Sequence, residues 1–182
     1  CIGEGFVLGD TLISIVNFSY NHILSTYDLK NDSLLQHPII MFSDPFKNVN
    51  HYLFNMTNKL RSDNKRFVSV MAYFNQINIF SPQFTNITTL SLYEPTISMK
   101  EINLVPERIR YFSGLQITDS SIYTLYINLP TPIYREHDKT VEIQQFDWEG
   151  TPIRKFIITN SIISFALDSK NKCIYGFKDN ED

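Results

Sequence analysis

Cysteine, glycine and long apolar runs are all scarce in this sequence, and each scarcity excludes something. With Cys1 and Cys173 as the two cysteines, neither a CxxC zinc site nor a dense disulfide framework can be built. Apolar runs are short and broken by polar residues, as in Leu12-Ile13-Ser14-Ile15-Val16, so no segment spans a membrane as a helix and no signal peptide is visible. Positive charge is not in excess: the formal net charge is −3, which argues against nucleic acid as a partner. No GxGxxG, P-loop, HExxH or GxSxG occurs. The 6 glycines are too few to supply every tight turn, so the frequent Asn and Asp must take many of those positions.

What is present is aromatic and β-prone. The chain has 182 residues, with 14 Phe, 10 Tyr, 43% apolar and 19% charged residues, a globular balance. Aromatic side chains suit a pleated, half-buried surface. The stretch 140–177 is the clearest unit. Strands are expected at 141–146, 153–158, 162–167 and 173–177, separated by the turns Asp147-Trp148-Glu149-Gly150 and Asp168-Ser169-Lys170-Asn171-Lys172.

One pattern, a polar turn followed by an alternating apolar strand, recurs along the chain. Aligning Leu12, Phe67, Ile122 and Cys173 gives steps of 55, 55 and 51 residues (12 to 67, 67 to 122, 122 to 173). Calling the aligned strand b, an a strand precedes it at 6–8, 52–56, 110–117 and 162–167. A c strand follows at 23–29, 76–80 and 141–146, and a d strand at 34–35, 87–92 and 153–158. Four-stranded antiparallel meanders repeated at this spacing predict an all-β chain, a β-propeller with about three and a half blades. The repeats fall at about 1–36, 51–92, 109–158 and 162–182, and a β-sandwich or plain meander sheet is the competing architecture. A ring closes with about 4–8 blades, so the expectation is a piece of a longer ring, in which another chain could pair with open strand edges.

The run GDTLISIVNFSYNHILSTYDLKND near the start, with VEIQQFDWEGTPIRKFIITNSIISFALDSKNKCIYGF near the end, resembles the TolB-like six-bladed β-propeller family of bacterial cell-envelope proteins. The FDWEG turn and the following ISFALD-to-IYG stretch carry most of the likeness. The resemblance implies a six-bladed ring, of which this chain matches about the later half. It also implies a periplasmic or outer-membrane-anchored location and brings no active site with it. A chain that begins at Cys1 is compatible with a lipid anchor on that residue. Cys173, in an apolar strand, is expected to be a buried, inert thiol, and a Cys1–Cys173 disulfide stays open.

Candidate site residues follow from topology. In such a meander the b–c and d–a connections emerge at one end of the blades. The b–c connections carry Tyr20 and His22, then Tyr73, Phe74 and Asn75, then Tyr134, Arg135 and His137. Aromatic area with a few polar groups suits a protein or glycan ligand. Packing of these residues against one another is the alternative use. The third b–c connection, 129–139, is the longest. Glu136-His137-Asp138 offers three metal-ligand types in a row, but neighbours in an extended loop diverge, so neither a metal nor a cofactor is expected. The sequons at Asn17, Asn31, Asn55 and Asn86 matter only in a glycosylating compartment. Trp148 is expected to pack on the outer strand or a neighbouring blade.

The expected function is a non-enzymatic binding or scaffold module of the cell envelope. The alternative is a propeller-type hydrolase or lyase with its site at the central channel. It would need ionisable groups clustered on the a strands, where His51, Arg108, Arg110 and Asp168 fall.

Overall fold

The computed structural model describes residues 5–8, 11–14, 24–37, 55–81, 86–91, 108–134, 139–170 and 172–178. Blade A comprises β1 (Gly5–Leu8), β2 (Thr11–Ser14), β3 (Leu24–Asp28) and β4 (Ser33–His37). Blade B comprises β5 (Met56–Leu60), β6 (Phe67–Met71), β7 (Gln76–Phe80) and β8 (Asn86–Ser91). Blade C comprises β9 (Ile109–Ile117), β10 (Ile122–Pro130), β11 (Val141–Phe146) and β12 (Pro152–Ile158), with a helical turn α1 (Thr131–Tyr134) after β10. Blade D is represented by β13 (Ser164–Asp168) and β14 (Cys173–Phe177). Blades A to C are each a four-stranded antiparallel meander in sequential order, and β13 and β14 form a two-stranded pair. The blade architecture read from the repeats is the architecture observed.

Turn chemistry explains how so few glycines suffice. The left-handed backbone positions are taken by Asp32, Asn64, Asn128 and Lys172 as well as by Gly150. Asx side chains tolerate this region better than other L residues. Gly150, at φ +89°, has a second constraint: a Cβ there would come within 2.9 Å of Thr88 Cγ2 and 3.0 Å of Leu90 Cδ2.

The blades stack through their faces. Side chains alternate along each strand, so blade C turns one face toward blade B and the other toward blade D. Val68, Val70, Ile77 and Ile79 of blade B meet Phe112, Leu115, Ile122, Tyr126, Phe146 and Trp148 of blade C in one buried cluster. The other face of blade C supplies Leu125, Ile127, Val141 and Ile143 to a second cluster with Ile162 and Phe165 of blade D. The inner strand β9 lies against both β5 and β13. Ser113 Oγ donates to Ile163 O at 2.9 Å and Gln116 Nε2 to Phe165 O at 3.1 Å, tying β9 to the next blade.

Several strand ends shift by one or two residues from the sequence reading, and three boundaries and one environment differ in ways that have a physical reason. The first strand of blade B is 56–60, not 52–56. Its residues are mostly half-buried on both sides, which erases the alternation that marks a strand. The second strand of blade C runs on to Pro130, because Leu129 and Pro130 find partners in Arg110 and Ile109 after a bulge at Asn128. The last repeat's first strand begins at Ser164. Cys173, expected to be buried, is exposed. It sits on β14, which among the described residues pairs only with β13 and leaves Tyr175 and Phe177 about half exposed. Cys1 lies outside the described residues, and so does any pairing between the two cysteines.

Candidate functional site

Two ends of the blades are open to solvent, and they are built differently. At the end formed by the a–b and c–d turns, the sequence closes a dense joint. Asp147 begins the c–d turn of blade C and accepts backbone N–H groups from Glu149 at 3.0 Å and Thr151 at 2.7 Å. Those bonds, led by the one from Thr151, hold its carboxyl below the usual aspartate range. The turn aims Trp148 inward, where it is buried and its Nε1–H donates to Thr118 O at 3.1 Å. Arg61 of blade B lies over the indole, 5.5 Å from its centroid. Arg66 Nη1 donates to Trp148 O at 2.7 Å and to Glu149 Oε1 at 2.6 Å. Ser62 donates to Asp119 across the same joint. The indole N–H of Trp148 is thus bonded within blade C, its carbonyl is bonded across the joint to blade B, and its ring is buried.

The opposite end carries the b–c connections. In blade B, residues 72–75 bend sharply between β6 and β7. Tyr73 is half-buried, whereas Phe74 and Asn75 are buried. The Asn75 carboxamide has no hydrogen-bond partner on either atom among the described residues. Of the three candidates on this bend, Tyr73 is therefore the most exposed side chain. In blade C, Tyr134 ends the helical turn α1. Tyr20, His22, Arg135 and His137 lie outside the described residues.

The two connections are anchored on the same inner strand. Ala72 O accepts the Tyr111 N–H at 2.7 Å, and Ala72 N–H donates to Asn55 O at 2.8 Å. Thr131 donates twice to Arg108 O, through its backbone N–H at 2.9 Å and its hydroxyl at 3.0 Å. Arg108 and Tyr111 flank the start of β9, so that strand holds the bend of blade B and the helical turn of blade C. Tyr111 is about half-buried, and burial raises its phenol above the ordinary value. Among the described residues there is no cluster of three or more His, Cys, Asp or Glu that could hold a metal. His51 lies outside them, and Arg108, Arg110 and Asp168 fall on or beside β9 and β13.

Arg61, Arg66 and Gln145 escaped the sequence reading, because their partners are distant in the sequence: Arg61 and Arg66 reach from blade B to blade C, and Gln145 reaches another strand of its own blade. Gln145 Nε2 donates to Ser121 Oγ at 2.9 Å, and both side chains are buried. Only the 55-residue phasing of the a–b turns against the FDWEG turn could have pointed to such pairs.

The TolB-like 6-blade propeller-like family matches residues 52–170, well over half of the chain. The chain belongs to this family. Among solved structures, the TolB-like chain is similar to a member of the DUF4221 family from Bacteroides vulgatus. The TM-score is 0.56 at 11% identity, over 86% of this chain and 51% of that one. It is also similar to BamB from Moraxella catarrhalis, with a TM-score of 0.51 at 9% identity over 97% of this chain and 40% of that one. A third likeness is to the computationally designed Ika4 protein, with a TM-score of 0.50 at 9% identity over 96% and 88% of the two chains. At these identities the likeness is one of fold. The TolB-like chain spans about half the length of the DUF4221 protein and less of BamB. No curated protein sequence matches it.

Proposed function

We propose that this TolB-like chain is a non-enzymatic binding or scaffold module of the bacterial cell envelope, which recognises a protein or a glycan through its b–c loop face. The observation that carries the reading is the anchoring of two successive b–c connections on β9, through Ala72 with Tyr111 and Thr131 with Arg108. Loops fixed in advance on a rigid strand lose little entropy on binding, which is what a recognition surface needs. Tyr73 on the bend and Tyr134 on the helical turn, with Tyr20, His22, Arg135 and His137 in the neighbouring sequence, supply aromatic area and polar groups. Phe74 and Asn75 support the bend from beneath. An envelope location is in keeping with family membership, and a lipid anchor at Cys1 would serve it.

The test compares the parent chain with Tyr73→Ala, Tyr134→Ala and Arg135→Ala. Immobilised protein is presented with peptidoglycan fragments in one arm and with an envelope protein extract in the other. Each variant should keep the parent's circular dichroism spectrum and bind its ligand about tenfold or more weakly, the usual effect of truncating a central contact. A ligand held as tightly by all three variants as by the parent would place the recognition surface elsewhere.

A further inference from the structure

Blades B and C carry a polar row at equivalent positions of one face. In blade B the register sets Asn58 opposite Ser69, Ser69 opposite Asn78, and Asn78 opposite Thr89. In blade C it sets Leu115 opposite Thr124, Thr124 opposite Gln144, and Gln144 opposite Lys155. The 55-residue step superimposes Ser69 on Thr124, and the neighbouring Phe80 and Phe146 superimpose Asn78 on Gln144. Asn58, Ser69, Asn78 and Thr124 are buried.

The hydrogen bonds of these rows do not close among the described residues. Asn78 Oδ1 is filled, accepting from Gln76 Nε2 at 2.8 Å and Thr89 Oγ1 at 2.9 Å. Its Nδ2 donor has no partner, and neither has the acceptor Asn58 Oδ1. Between them Ser69 directs its hydroxyl proton to Met56 Sδ at 3.3 Å, which leaves the Ser69 oxygen able to accept. A direct Asn58–Asn78 bond is out of reach, since two strand spacings, roughly 9.5 Å, separate their backbones. In blade C the same positions again hold open atoms, Thr124 Oγ1 and Gln144 Oε1, on directly paired residues. Buried polar groups in this state are costly and usually bonded to something.

We propose that each row holds a structural water between strands. In blade B the water accepts from Asn78 Nδ2–H and donates to Asn58 Oδ1 and Ser69 Oγ. These three bonds are the usual complement of an internal water. In blade C it accepts from the Thr124 hydroxyl and donates to Gln144 Oε1. Asn58, Ser69 and Asn78 lie on the face of blade B opposite to Val68, Val70, Ile77 and Ile79, and all three are buried, so a water held among them exchanges slowly.

A crystal structure of the unaltered chain tests this without a variant. It should show an ordered oxygen within about 3.2 Å of both Asn58 Oδ1 and Asn78 Nδ2, and another between Thr124 Oγ1 and Gln144 Oε1. In solution, Asn58→Ala and Asn78→Ala should each lower the folding equilibrium constant about tenfold. The double variant should lose clearly less than the product of the two, because one water links residues that do not touch. Dry rows in which the amides turn to protein partners, or losses that multiply independently, would overturn the proposal.

Discussion

Asp147 and Trp148 are neighbours in one turn and meet opposite environments. The carboxyl of Asp147 faces solvent but is bonded by backbone N–H groups, whereas the indole of Trp148 is buried between blades. This gives Asp147 a defined pH signature. Its native pKa is depressed, chiefly by the Thr151 N–H, so its contribution to stability is present above the unfolded aspartate value. That contribution is lost as the pH falls through the lower native value. At neutral pH the parent should therefore melt above Asp147→Asn. The gap should close as the pH is lowered through the acidic side of the aspartate range, followed by thermal melts of both proteins. Asp28, whose bonds from Asn31 lower its pKa, and Glu142, where burial is outweighed by Lys155 and Gln144, titrate in both proteins and cancel in the difference.

Among the elements, β9 does the most. It pairs with β10, holds two loops at its start and reaches β13 through Ser113 and Gln116. Those two side chains bond backbone carbonyls of the next blade, so removing them should loosen β13 and leave blade B untouched. Ser113→Ala with Gln116→Ala should cost about 1–3 kcal/mol. Amide hydrogen exchange should quicken in β13 and β14 while β6 and β7 keep their protection. Equal loosening of both blades would mean that the bonds do not act locally. How such elements showed in the sequence depended on their place in the blade. The strands 76–80 and 141–146 were legible to the residue, since apolar alternation marks a strand covered on its faces, and 173–177 was legible from its apolar residues although it is largely exposed. The inner strand 56–60 was not, because Thr57, Asn58 and Lys59 are half-buried or buried polar residues with no period to read. The candidate site was legible only as a set of loops. The sequence places Tyr73, Phe74 and Asn75 on one bend, but which of them faces solvent is decided by the blade packed beneath it. The exposure of Cys173 was hidden for the same reason: β14 reads as a covered apolar strand, and what covers it is not written in the strand itself.

At the scale of the molecule, stability is a chain of nearest-neighbour interfaces, as expected of a repeat architecture. One cluster joins blades B and C, and another joins C and D. They use opposite faces of blade C and share no residue, so a cavity in one should be felt mainly by its own pair of blades. Phe112 stands in the B–C cluster, fully buried, with its ring 5.4 Å from that of Tyr126. Ile143, also fully buried, stands in the C–D cluster. Phe112→Ala should cost about 3–5 kcal/mol and Ile143→Ala about 2–5 kcal/mol, by lost contacts and the cavities left behind. The difference between them should be spatial. Hydrogen exchange should show Phe112→Ala exposing β6 and β7 with blade C, and Ile143→Ala exposing β13 and β14 with blade C. If either variant raised exchange evenly across blades B, C and D, the stack would be one cooperative unit. In that case β9, tied to both neighbours, would be the element that transmits the loss.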